Sequence, residues 1–309
     1  MGTINSRTLT VDNLVTSTWY DVRKDVIDQV FKIRPFYDKM VESGRVRSKV
    51  PDGTHWEVPV RYDKNDQNIK YFGRGDTFSR AEKEHLTRLF FYTKNIGTSV
   101  IRYWDDERKN RGKAKIIDYA QEVVENTIES LKDRISTDLL VQSTDILAID
   151  ALPTLISSSP TSGSVGGITR STDAYLQNQI KDFSSLTTGV SLLDEMTRMY
   201  NLCAEWGAAP DLILTNRTTY QDYERICRSL QQIVSNKTER ASLGFGDLMF
   251  KNVEIFWDPA LSNTAGAGVM YFLNTKTLEI PYDPANWFEM TEWKKDTDGL
   301  DRVAQVVCV

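Results

Sequence analysis

The 309 residues, 40% hydrophobic and 26% charged, have the composition of a soluble globular protein with apolar content for one large or two ordinary domains. A net charge of -5 leaves no global basic excess for neutralising phosphate, so any DNA contact is expected to be local or weak. No run of about 18 apolar residues and no apolar leader is present. A membrane span and a signal peptide are therefore not expected, and the chain is expected to work on the cytosolic side.

In residues 12–33, Val15, Trp19, Val22, Val26, Val30 and Ile33 recur at helical spacing behind the capping residue Asp12, and Pro35 is expected to end the helix. So apolar a face needs a partner, by default its own domain and otherwise a neighbouring subunit. An apolar patch of Phe36, Tyr37, Met40 and Val41 follows, and Gly44 releases the chain.

Residues 55–62 alternate Trp56, Val58, Val60 and Tyr62 against Glu57, Pro59 and Arg61, which is strand periodicity, and Pro59 points to an edge. Residues 86–103 are a second β-rich run, about 60 Å long if extended. The polar, glycine-bearing span between them has no period, so the expected object is one long hairpin with a ragged tip. Because an isolated two-stranded ribbon is marginal in water, this one is expected to be held from outside itself, with a neighbouring subunit as the natural support.

Residues 112–141 carry the clearest signal in the chain. Ile117, Ala120, Val124, Ile128, Leu131, Ile135 and Leu139 form one stripe of a helix about 40 Å long, while Asp118, Glu122, Glu125, Glu129 and Asp133 line the opposite face, expected to be solvated or met by basic groups from elsewhere. Such a helix reads as a spine along one side of a domain.

Residues 151–173 read as loops, rich in Ser, Thr, Gly and Pro. Beyond them a helix over 190–204 (Leu193, Met196, Tyr200, Cys203), a buried strand DLILT and a helix marked by Tyr220, Tyr223, Cys227 and Leu230 are followed by apolar strands at 253–257 and 269–273. This alternation predicts a compact α/β unit over about 145–275. The tail returns to strands at 278–282, 287–293 and 300–309, expected to pair near the spine and make its domain discontinuous.

Candidate chemistry is sparse. GSVGG at 163–167 lacks the ending and the helix of a phosphate loop and reads as a flexible loop. The Arg74-Gly75-Asp76 tripeptide reads as chance at a hairpin tip. Cys203, Cys227 and Cys308 read as free buried thiols, and His55 and His85 are too few for a metal site or relay. The seven tryptophans have no basic stripe among them and suit packing. No catalytic residue, cofactor or metal is expected.

The order of parts, with YFGRGDTF before the aromatic strand at 89–92, WDDERKNRGKAKIIDY entering the spine, GSVGGITRSTDAYLQNQ, PDLILTNRTTYQDYERI, and LGFGDLMFKNVEIFWDP followed by VMYFLNTKTLEI, resembles the major capsid proteins of tailed bacteriophages. Their α+β fold is named after phage Hong Kong 97. The resemblance implies an N-terminal arm over 1–49, an extended loop over 50–104, a peripheral domain over 105–145 and 276–309, and an α/β axial domain over 146–275.

It also implies a subunit that self-assembles through pentamers and hexamers into an icosahedral head around double-stranded DNA, located in the virion and assembled in the host cytoplasm. The loop tip, with Lys70, Phe72, Arg74, Asp76 and Arg80, and the arm, with Trp19, Val22 and Val26, are then the expected inter-subunit contacts. A separate scaffold protein, a portal and weak non-specific contact with the packaged DNA are expected, and no membrane. Two other readings stay open: an encapsulin-type compartment shell, and an unrecognised α/β enzyme with a polar pocket near residues 211–220 or 163–170.

Overall fold

The computed structural model describes residues 34–49, 55–64, 66–78, 81–109, 119–182, 189–205, 209–230, 248–261, 268–295 and 302–308. The helix expected over 12–33, with Trp19, Val22 and Val26, lies outside them, as do Arg80 and the expected first turns of the spine.

Pro35, expected to end a helix, opens one, because its fixed φ and missing N–H suit a first turn. Helix α1, Pro35–Glu42, buries Phe36, Tyr37 and Met40. Its own N-cap, Arg34, makes no side-chain bond to it. Asp258 caps it from far along the chain, with Oδ2 accepting from the Phe36 N–H at 3.3 Å. The same carboxylate accepts from the Ala260 N–H at 2.8 Å.

Asp258→Ala leaves the buried Phe36 N–H and the half-buried Ala260 N–H without an acceptor and should cost about 1–3 kcal/mol in urea unfolding. Burial pushes the Asp258 carboxyl pKa up against the pull of those two N–H donors, and the nearby Asp133 and Asp38 push it further the same way. The folded chain therefore holds this proton more tightly than the unfolded chain, and this group's contribution to stability falls as pH rises through its raised pKa. Asp258→Asn removes that titration, so the melting temperature of the wild type should fall relative to that of the variant as pH rises from 4 to 7.

Strand β1, Val46–Ser48, pairs in parallel with β11, Ile280–Tyr282. Strands β2, His55–Arg61, and β3, Leu86–Tyr92, make the expected antiparallel hairpin, with His55 opposite Tyr92 and Arg61 opposite Leu86. The single run expected over 86–103 is instead two strands. Strand β4, Ile96–Arg102, leaves the hairpin and pairs with β14, Arg302–Cys308. Burial explains the switch: β4 seats Ile96 and Val100 in the core with Val306 and Cys308, against the long helix.

After the short α2, Trp104–Lys109, the spine is described as α3, Tyr119–Leu140, whose 22 residues are about 33 Å long. Its stripe buries Leu131, Ile135 and Leu139 as expected, with Leu140 beside them. Strands β12, Glu289–Met290, and β13, Lys294–Lys295, pair with β14, so the returning tail does meet the spine.

The α/β unit starts with the short helix α4, Leu152–Leu155, and the small hairpin of β5, Ser164–Val165, and β6, Ile168–Thr169. Helix α5, Gly189–Ala204, strand β7, Leu212–Thr215, and helix α6, Arg217–Leu230, follow. Strands β8, Met249–Phe250, β9, Val253–Trp257, and β10, Met270–Leu273, complete a mixed sheet of order β10-β7-β9-β8, in which only β7 and β9 run parallel.

The apolar run in DLILT lacks alternation because β7 is buried on both faces. Leu212 and Leu214 face the spine's core, while Ile213 turns to the other side, among Met196, Tyr223, Val253 and Ile255. One strand thus joins the two apolar clusters.

Candidate assembly surfaces

Opposite residues of an antiparallel pair share a face. In the ribbon, Trp56 with Phe91, Val58 with Leu89 and Val60 with Thr87 make one face, and His55 with Tyr92, Glu57 with Phe90, Pro59 with Arg88 and Arg61 with Leu86 make the other. The first face lies on the chain's own body. Trp56 and Leu89 are buried, the Phe90 N–H donates to the Gly166 carbonyl at 3.0 Å, and the Tyr62 and Tyr175 rings meet at 5.4 Å.

The support expected from outside the ribbon comes at its root from the same chain, where residues 163–175 buttress it. The GSVGG run is accordingly not a loose loop. Gly166 and Gly167, at φ +56° and +83°, form the tight turn of the small hairpin, a conformation that favours glycine at both positions. Because the Phe90 N–H points away from β2, alternation sets the Pro59 nitrogen on the outer edge of β2, where no ladder bond is lost. On the open face Leu86, Phe90 and Tyr92 are exposed around an Arg88–Glu57 ion pair of 2.8 Å.

The tip has a structure of its own. Lys83 pairs with Asp63 at 2.8 Å and donates to the Lys64 carbonyl at 3.1 Å, and Asn68 Nδ2 donates to the Ala81 carbonyl at 2.8 Å. The hydrogen bond from Lys83 holds the Asp63 carboxyl below its ordinary pKa.

Of the expected contact residues, Phe72 is 68% exposed and meets Phe78 edge-on at 5.1 Å, and Lys70 lies 5.8 Å over the Phe78 ring. Asp76 accepts from the Gly73 N–H at 2.7 Å, and Arg74 is exposed in that turn. The sequence reading did not single out Ile69, Tyr71 and Phe78, all exposed. Their signal was present as apolar residues standing without period in a polar span.

Elsewhere, the acidic spine face is not uniformly free. Glu129 takes Lys132 on Oε1 and Arg34 on Oε2, each at 2.6 Å. Lys132, and then Arg34, hold its carboxyl below the ordinary range against the opposing effect of burial. Glu129 therefore ties Arg34, at the N-terminal end of α1, to the spine. Glu125 is exposed and accepts from Gln121 at 2.6 Å. Beyond the spine, Ile146 and Leu147 are 88% and 75% exposed. They stand beside the ribbon's root, where Lys94 Nζ donates to the Ile146 carbonyl at 2.6 Å.

Where an enzyme would need a pocket, the polar groups are bonded within the chain. Asp211 accepts from the N–H and the hydroxyl of Thr275, both at 2.7 Å, and the Thr215 hydroxyl donates to the Val269 carbonyl at 2.8 Å. Asn216 Oδ1 accepts from the Thr219 N–H at 3.2 Å in the first turn of α6. Arg170 donates to the Thr154 and Leu155 carbonyls at 2.7 and 2.6 Å.

Among the described residues no His, Cys, Asp or Glu group is arranged to hold a metal ion, and no helix is long and apolar enough to cross a membrane. Burial pushes the Cys203 and Cys308 thiols up in pKa.

By sequence, the chain matches no family profile and no curated protein. By structure it is similar to the capsid chain of cyanophage A-1(L), with a TM-score of 0.66 at 15% identity over 93% of this chain and 92% of that one. It is also similar to the capsid of Myoviridae phage XM1, with a TM-score of 0.57 at 10% identity over 98% and 94%. A third likeness is to the holo encapsulin complex of Synechococcus elongatus, with a TM-score of 0.50 at 12% identity over 92% and 86%. The chain has the tailed-phage capsid fold, which the encapsulin shares.

Proposed function

We propose that this chain is a major capsid protein that self-assembles, through pentamers and hexamers, into the icosahedral head around the double-stranded DNA of a tailed phage. The likeness of fold to phage capsid chains over nearly the whole length carries the reading. The bare aromatic residues at the ribbon's far end support it, since exposed apolar clusters mark interaction sites.

In this proposal the N-terminal arm reaches a neighbour and the extended loop, expected over 50–104 and cut back here to about 50–92 because β4 pairs with β14, lies over an adjacent subunit. Strand β4, the spine and the returning strands make the peripheral domain, and residues 146–275 make the axial domain. A separate scaffold protein and a portal complete the head, DNA is held weakly, and assembly takes place in the host cytoplasm. The subunit has no catalytic role.

The encapsulin likeness favours one second reading, a compartment shell around protein cargo. Electron microscopy of particles from the expressing cell is the test. Closed shells with nucleic acid are expected; shells with protein cargo would support the compartment, and small open oligomers would sink both.

A further inference from the structure

Helix α1 is held at three points by parts of the chain that are otherwise far apart. Arg34, at its N-terminal end, pairs with Glu129 of the spine at 2.6 Å, and Lys39 pairs with Glu254 of β9 at 2.7 Å. Between them Asp258, just past β9, caps the Phe36 N–H. Phe36, Tyr37 and Met40 fill the core beneath, with Leu131 and Ile135 of the spine and Leu212 and Leu214 of β7. The short helix thus joins the spine to the mixed sheet.

One of the three holds is a buried carboxylate without a cation. Asp258 is 2% exposed, and among the described residues no Lys or Arg pairs with it; its donors are the Phe36 and Ala260 N–H groups. The charged groups facing it are of its own sign, Asp133 from the spine and Asp38 from the first turn of α1. The nearby cations are engaged elsewhere, Arg34 and Lys132 with Glu129 and Lys39 with Glu254. Burial pushes up the Tyr37 phenol and the Cys308 thiol, the other titratable groups of this core, so both stay neutral in acid and at neutrality. A proton on one Asp258 oxygen relieves the repulsion and the cost of a buried charge, and the other oxygen keeps its acceptor role.

We propose that α1 is a clip set by the proton on Asp258, closed on the spine and the mixed sheet in mild acid and loosened at its capped end towards neutral pH. It is a property of the single chain and stands whether or not that chain builds a shell. In the opened clip Asp258 meets water and titrates as an ordinary carboxyl, whereas in the closed clip burial outweighs its two N–H donors and raises its pKa. Closure is therefore fully favoured below the ordinary aspartate value of about 4, and that advantage is lost as pH rises through the raised pKa. The tie to the spine has the opposite sign. Lys132, and then Arg34, lower the Glu129 pKa, so Arg34 loses its partner only as pH falls through that lowered value. The clip is tightest between the two.

The test is hydrogen exchange of the full, unassembled chain from pH 3 to pH 8, with rates corrected for the intrinsic effect of pH. The α1 amides are followed against those of β7, which lie between the two apolar clusters. Protection of α1 relative to β7 should peak in mild acid and fall roughly threefold or more by pH 8. Asp133→Asn removes one facing charge without touching α1, so it should shift that fall to lower pH and shrink it. Asp258→Asn, uncharged at every pH, should flatten it; if that variant does not fold, Asp133→Asn carries the test alone. Protection of α1 that follows β7 at every pH overturns the clip, and so does a fall that Asp133→Asn leaves unmoved.

Discussion

Arg170→Ala is expected to destabilise the purified chain by about 3–5 kcal/mol in urea unfolding, because two charge-assisted hydrogen bonds of about 1.5–3 kcal/mol each are lost from a buried site. Arg170 is 1% exposed. Its guanidinium closes the last turn of α4 through the Thr154 and Leu155 carbonyls and reaches Asn178 Oδ1 at 3.4 Å. Its backbone continues the small hairpin, with its N–H donating to Gly163 at 3.0 Å and its carbonyl accepting from Gln177 Nε2 at 2.8 Å.

All three side-chain partners are neutral oxygens, so the charge itself is held at a cost, and burial depresses its pKa accordingly. Alanine would leave carbonyls without a donor and a void where the side chain stood. Lysine, a point donor without the planar fork, should recover less than half of the loss. Proteolysis within 151–178 should become faster in both variants. A cost under about 1 kcal/mol for the alanine variant would show that this loop region keeps its shape without the guanidinium.

Arg170 also marks where the sequence stopped being legible. Residues 151–173 lack both the helical and the strand period, and composition alone assigns them to loops. Their order comes from long-range bonds that leave no periodic trace. The spine was legible because its apolar residues recur on one stripe, and β7 because four buried residues follow one another without a polar break. The split of 86–103 was less so: Leu86–Tyr92 and Ile96–Arg102 are both β-rich, and which partner each takes depends on a strand some 200 residues later.

At the candidate assembly surfaces, Phe72, Lys70 and Asp76 could be singled out once the tip was placed in a known order of parts. The Ile146–Leu147 patch could not, since Ile and Leu beyond a helix read as core unless the fold leaves them uncovered. The Asp258 cap on α1 spans 222 positions and was invisible for the same reason.

Gly166→Val is expected to lift the ribbon from its buttress and lower the yield of closed shells at least tenfold. A Cβ at Gly166 would stand 2.6 Å from the Leu89 Cβ and 3.1 Å from its Cα, and the Cα belongs to backbone that cannot swing aside. The position also sits at φ +56°, where an L side chain costs about 1–2 kcal/mol. Relief requires β3 to move off the turn, which breaks the Phe90–Gly166 bond and exposes Leu89 and Trp56. In hydrogen exchange, the Phe90 amide should lose its protection while the amides of β7, buried between the two apolar clusters, keep theirs. Gly167→Val is the control. Its φ is +83° but nothing stands within 4 Å of a Cβ there, so it should show the backbone cost alone and still assemble. If both valine variants assembled as well as the wild type, contact with the chain's own turn would not be what aims the ribbon, and its direction would have to be set by the neighbouring subunit.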